Sequence, residues 1–119
     1  MISIRRITEN NKELFVFEND SNVVAKCYFD NDKAELIDLE VIENEIEQSF
    51  LEAIIKATLN HLELKGHKST FCYINNFQKY KDLLLKIGFS INDKKNIFEL
   101  SLEGYFDKPC QGQCQDCEN

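Results

Sequence analysis

Three cysteines, Cys110, Cys114 and Cys117, stand at C-x3-C-x2-C spacing in "CQGQCQDC" near the C-terminus. Three thiolates so close together can wrap one soft metal ion or give three ligands to an iron–sulfur cluster, and Gly112 permits the tight turn that wrapping requires. Zinc or an iron–sulfur cluster is the expected occupant. The fourth ligand stays open among Cys27, Cys72, a histidine, water and a second chain, and a reduced tail without metal is the alternative. Cys27 and Cys72 lie inside apolar runs and read as small buried hydrophobes. His61 and His67, the two histidines of the chain, read as surface residues, one within a helical run and one in the turn after Gly66.

The second chemical feature is a run of acids around "VIENEIEQSFLEAII", Val41 to Ile55. Glu35, Asp38, Glu40, Glu43, Glu45, Glu47 and Glu52 are seven acids with no Lys or Arg between the first and the last. Acids near a helix start complement the helix dipole. They also repel an anionic ligand: a carboxylate about 6 Å from a phosphate charge costs on the order of 2–3 kcal/mol at an effective dielectric near 20, before salt screening.

At 119 residues, with 43% hydrophobic and 29% charged residues, the chain predicts one folded domain and one site. A net charge of -7 and a pI near 4.8 argue against a nucleic-acid partner, which would require clustered Lys and Arg. No long apolar run marks a signal or a membrane span, so a cytoplasmic location without structural disulfides is expected. The sequence leaves the oligomeric state open.

These residues need elements to position them. "MISIRRI" reads as an imperfect first strand. "ELFVFEND" and "NVVAKCYFD" form a hairpin through Asp20, Ser21 and Asn22, and "AELIDLEVI" is a strand with Ile37, Leu39 and Val41 two steps apart. From Glu47 the period changes. Phe50, Leu51, Ile54, Ile55, Thr58, Leu59 and Leu62 recur on one face of a helix of about five turns, stopped at Gly66. "STFCYI" is a short buried strand. "NNFQKYKDLLLKIGF" is a second helix with Asn76 as N-cap and Tyr80, Leu83, Leu84 and Ile87 on its buried side, ended by Gly88. "NIFELSLEGYF" is a closing strand. The fold class is α/β, with a mixed, mostly antiparallel sheet and two main helices.

This order, with "AELIDLEVI" entering the long helix and "LLLKIGFS" before the last strand, resembles the GNAT superfamily of acetyl-CoA-dependent N-acetyltransferases. The resemblance covers residues 1–108 as one domain and leaves 109–119 as a cysteine-rich tail. It implies transfer of an acetyl group to a small-molecule or peptide amine. It further implies cofactor contacts at Val41, Glu47, Gln48, Ser49 and Leu51, and Tyr80 as general acid, because the usual tyrosine position is Leu84 here. The family's loop pattern, Arg/Gln-x-x-Gly-x-Gly/Ala, bares backbone N–H groups to a pyrophosphate. In this chain its positions fall on Ile46, Ser49 and Leu51, or, shifted by two, on Gln48, Leu51 and Ala53. Acetyl-CoA binding is therefore expected to be weak or absent. "TENNKE" takes the place of the family's two helices after the first strand, which leaves the acceptor side open.

Overall fold

The computed structural model describes residues 2–43 and 46–106; Met1, Asn44, Glu45 and residues 107–119 lie outside it. The cysteine tail, with Cys110, Cys114 and Cys117, is thus beyond the described residues, as is Glu45. The elements are β1 (Ile2–Glu9), β2 (Lys12–Asn19), β3 (Asn22–Asp30), β4 (Glu35–Val41), α1 (Gln48–Leu64), β5 (Ser69–Tyr73), α2 (Ile74–Phe77), a 3-10 turn (Gln78–Tyr80), α3 (Lys81–Ile87), β6 (Ser90–Asn92) and β7 (Ile97–Ser101). Seven strands form one sheet in the order β1-β2-β3-β4-β5-β7-β6. Only the β4–β5 pair is parallel.

The first four strands are an antiparallel meander joined by short turns. Glu9 pairs with Lys12 across Asn10 and Asn11, and Asn19 with Asn22 across Asp20 and Ser21. All four turn residues have positive φ, from 52° to 72°. Two-residue hairpin turns demand that conformation, and Asn and Asp tolerate it better than most residues. Where the resemblance implies two helices after the first strand, this chain has the two-residue turn Asn10–Asn11.

Helix α1 buries Leu51, Ile54, Ile55, Thr58, Leu59 and Leu62, as its apolar period predicts. Its face meets β2 and β3; Phe50 stacks on Phe17 with ring centroids 4.7 Å apart. The crossovers β4-α1-β5 and β5-α3-β6 share one hand, so α1 and α3 lie on one side of the sheet, where Leu59, Leu84, Cys27, Cys72 and Phe98 share a core. Lys86 of α3 reaches Glu52 of α1 at 3.5 Å.

The opposite sheet face carries no helix among the described residues. Leu14 and Val16 are nevertheless buried there, beneath their cross-strand neighbours Ile7, Tyr28, Arg5 and Lys26. Polar pairs hold those long side chains flat: Arg5–Glu18 at 2.9 Å, Lys26–Glu9 at 3.3 Å and Tyr28–Glu40 at 3.3 Å. Their stems supply apolar cover while the heads stay in water.

Three expectations need correction. In β4 a bulge intervenes: Tyr28 pairs with Asp38 and Phe29 with Leu36, skipping Ile37. The extra residue breaks the two-residue alternation, so Leu36 and Leu39 both point inward while Ile37 is exposed. The second helix is not continuous. It starts directly after Tyr73, not at an Asn76 cap, and breaks into α2, the 3-10 turn and α3. The closing region is a hairpin of β6 and β7, the three-residue β6 being too short to register as a strand in the sequence.

Candidate functional site

The parallel junction of β4 and β5 consists of one bridge, Glu35 with Phe71. The Ala34 carbonyl anchors it by accepting from the Phe71 N–H at 3.2 Å and the Thr70 hydroxyl at 2.7 Å. Beyond that point β4 runs on to Val41, whereas β5 turns into α2 after Tyr73. The β4 edge past this bridge has no strand partner on the β5 side among the described residues, and the angle between it and the departing chain forms a wedge beside β4.

Backbone direction on the β4 edge follows from its far end. The Ile42 N–H goes to Val24 of β3 at 2.9 Å, and backbone groups alternate sides along a strand; Leu39 and Val41 therefore turn theirs toward the wedge. The Tyr80 hydroxyl donates to the Leu39 carbonyl at 3.4 Å. Its ring lies 6.4 Å from that of the fully buried Phe77, and Lys79 Nζ stands 5.2 Å from the centroid of the Tyr80 ring. The sequence does not single out Leu39 and Phe77, because the role of Leu39 lies in its backbone and depends on the splay.

The start of α1 forms the mouth of the wedge. Glu47 is the N-cap, in extended conformation, and its side chain makes no capping bond. The Phe50 N–H is taken by the Glu47 carbonyl at 3.0 Å. Gln48 and Ser49 are exposed, whereas the Leu51 side chain points into the core. No glycine lies between Val41 and Leu64, so every backbone N–H at this mouth carries a Cβ beside it. One member of the acidic run is neutralised internally: Glu52 bonds Lys56 at 2.8 Å as well as Lys86, and Lys56 above all holds its carboxyl below the usual range.

On the helix-free face a groove of about 430 Å³ is lined by Glu9, Asn10, Lys12, Tyr28, Ile37, Asp38 and Glu40. Burial pushes the Tyr28 hydroxyl upward, so it remains a proton-bearing donor to Glu40 at neutral pH.

The remaining chemistry-bearing residues stand apart. Cys27 and Cys72 are fully buried. Burial pushes Cys27 up to about 12 and raises Cys72 as well, which leaves both as inert thiols. His61 is not the surface residue the sequence suggests: its ring sits edge-on to Phe15 and Phe29 at 5.9 and 5.3 Å, and Nε2 is buried without a partner among the described residues. His67 Nε2 meets the Asn31 carbonyl at 2.5 Å. Among the described residues no three His, Cys, Asp or Glu side chains gather to hold a metal ion. No described helix is long and apolar enough to cross a membrane.

Two solved structures are similar to this architecture. A candidate acetyltransferase of the GNAT family from Desulfovibrio desulfuricans superposes with a TM-score of 0.66 at 11% identity, over 86% of this chain and 99% of that one. The chain has a GNAT-like fold. An N-acetyltransferase from Staphylococcus aureus Mu50 is also similar, with a TM-score of 0.59 at 15% identity, over 78% of this chain and 69% of that one. No protein-family model matches the sequence, and no curated protein does. With the GNAT-like fold in place, the wedge beside β4 and the cap of α1 stand where strand, loop and long helix meet, and Glu47 occupies that cap.

Proposed function

We propose that this chain is a GNAT-type N-acetyltransferase-like protein in which acetyl-CoA-dependent transfer to an amine is weak or lost. The observation that carries this reading is the cap of α1: a glutamate without a capping bond, in a segment with neither glycine nor a basic residue. A pyrophosphate at a helix N-terminus needs bare, close N–H groups and a positive field. The residues at Glu47, Gln48, Ser49 and Leu51 fit it poorly. On the β4 edge Asp38 Oδ1 already takes the Leu39 N–H at 2.9 Å, so an extended, amide-bearing arm would dock there through the Leu39 carbonyl and Val41.

The chain's own residues limit what chemistry remains. An acceptor amine on the helix-free side would meet Glu9, Asp38 and Glu40, whose charges favour a cationic ligand and could take its proton directly or through water. Tyr80, with its hydroxyl on the β4 edge, is the candidate proton donor. Calorimetry tests the reading: acetyl-CoA is expected to bind with a Kd above roughly 100 μM at physiological salt, and a low-micromolar constant would restore a working cofactor site.

A second reading rests on the C-x3-C-x2-C spacing: a metal- or partner-binding role for Cys110, Cys114 and Cys117. The buried Cys27 and Cys72 are poor fourth ligands for it. Protein purified anaerobically without chelator should carry about one equivalent of zinc, or iron with acid-labile sulfide, since a three-thiolate set binds such metals at neutral pH. That metal should be lost on truncation after Lys108. A metal-free wild type rules out the metal-binding form of this reading.

A further inference from the structure

We infer that the segment Ile74–Tyr80 is a built-in seal on the wedge, with the Tyr80 hydroxyl occupying the β4 carbonyl that an extended ligand must reach. The inference rests on the proposed placement of acetyl-CoA along β4 and adds an autoinhibitory contact to that site.

Four observations support the seal. The wedge is tied at its apex, where Ala34 holds both Thr70 and Phe71 of β5. α2 packs against both β4 and β5, so the segment bridges the two arms of the splay. Its backbone leaves helical values at Phe77 (φ -122°, ψ 12°) and at Tyr80 (φ -107°, ψ 17°). Standing three residues apart, Phe77 and Tyr80 turn to the same side of the segment, and the two breaks mark where it departs from one continuous helix. Finally, Phe77 is fully buried while Tyr80 is only partly so and makes a long bond. Phe77 is the anchor and Tyr80 the latch.

A latch at 3.4 Å is weak enough to be displaced, yet while closed it sets the Tyr80 hydroxyl against the Leu39 carbonyl, where an added strand would bring its own N–H. The apparent affinity of any ligand adding to this edge falls by the fraction of time the latch is open. The acidic cap and the sealed edge are thus independent reasons for weak binding, and they can be separated by mutation.

Tyr80→Phe keeps the ring against Phe77 and removes only the hydroxyl. Calorimetry with acetyl-CoA should show the variant binding about three- to tenfold more tightly than wild type, the range expected for one net hydrogen bond. Amide exchange measured without ligand should quicken several-fold across residues 74–80 and stay unchanged in the middle of α1. Equal or weaker binding by the variant, or unchanged exchange across the segment, overturns the seal. A low-micromolar constant for wild type overturns the proposed weak cofactor site and leaves the seal to be judged by the ratio of the two constants. If neither protein binds at millimolar acetyl-CoA, exchange alone decides: faster in the variant upholds the seal, unchanged rejects it.

Discussion

The Thr70 hydroxyl donates to the Ala34 carbonyl at 2.7 Å, on the same oxygen that accepts the Phe71 N–H. Thr70 is buried, and its side chain reinforces the backbone bond that Phe71 makes across this junction. Thr70→Val has nearly the same shape and leaves the oxygen with Phe71, so it should cost about 0.5–1.5 kcal/mol. Urea denaturation at constant m-value measures it, and an unmoved midpoint would show that the hydroxyl adds nothing to the junction.

Ile54 is fully buried at the centre of the α1 face, and Ile54→Ala should cost about 2–5 kcal/mol through lost burial and a residual cavity. Glu52→Ala, on the same helix, breaks two partly exposed ion pairs, to Lys56 of α1 and Lys86 of α3, and should cost under about 1 kcal/mol. Comparable losses for the two variants would contradict the assigned helix phase.

His61 supplies a pH dependence. Burial, followed by the positive charge of Arg6, lowers its pKa from the ordinary 6.5, with Glu13 opposing. The folded state thus binds fewer protons at this ring than the unfolded chain. Its contribution is fully present above pH 6.5 and is lost as pH falls from there through the depressed folded value. Glu18 and Glu52, both held below 4.5 by basic partners, keep their contributions until the solution is more acid still. Wild type should therefore lose urea midpoint between pH 7.5 and 5.5, and His61→Leu, which has nothing to titrate, should lose markedly less. Parallel slopes would remove His61 as the cause.

Glu47→Gln removes the charge at the cap of α1 while keeping the shape. Residual acetyl-CoA affinity should rise by up to about tenfold at low salt and by less at physiological salt, where exposed charges are screened. Titration calorimetry at two ionic strengths checks both points, and a salt-independent effect would point to a contact other than charge.

What the sequence disclosed follows from how local each feature is. The meander and the α1 face announce themselves through period and turn residues, and Asp20 with Ser21 marks its hairpin plainly. The bulge that skips Ile37 has no such mark, since it exists only in the pairing of Tyr28 with Asp38 and Phe29 with Leu36. The break at Phe77 is hidden for a related reason: Phe77, Tyr80, Leu84 and Ile87 keep helical spacing, so the apolar period reads straight through it. His61 misleads because a polar ring at a helical position reads as solvent-facing until Phe15 and Phe29 close around it. The acidic cap was legible in full, whereas the carbonyl beneath Tyr80 was not, because backbone direction on a splayed edge is set by strands distant in sequence.

The meander also sets an order of assembly. Strands β1 to β4 pair with one another in chain order across short connections, so their loops close cheaply and early. The parallel junction must wait until the whole of α1 has formed and returned the chain to Ala34, and it then gains a single ladder bridge. The joint that defines the wedge is accordingly among the last places to form and among the first to let go, so that the molecule carries its loosest seam through the middle of its sheet.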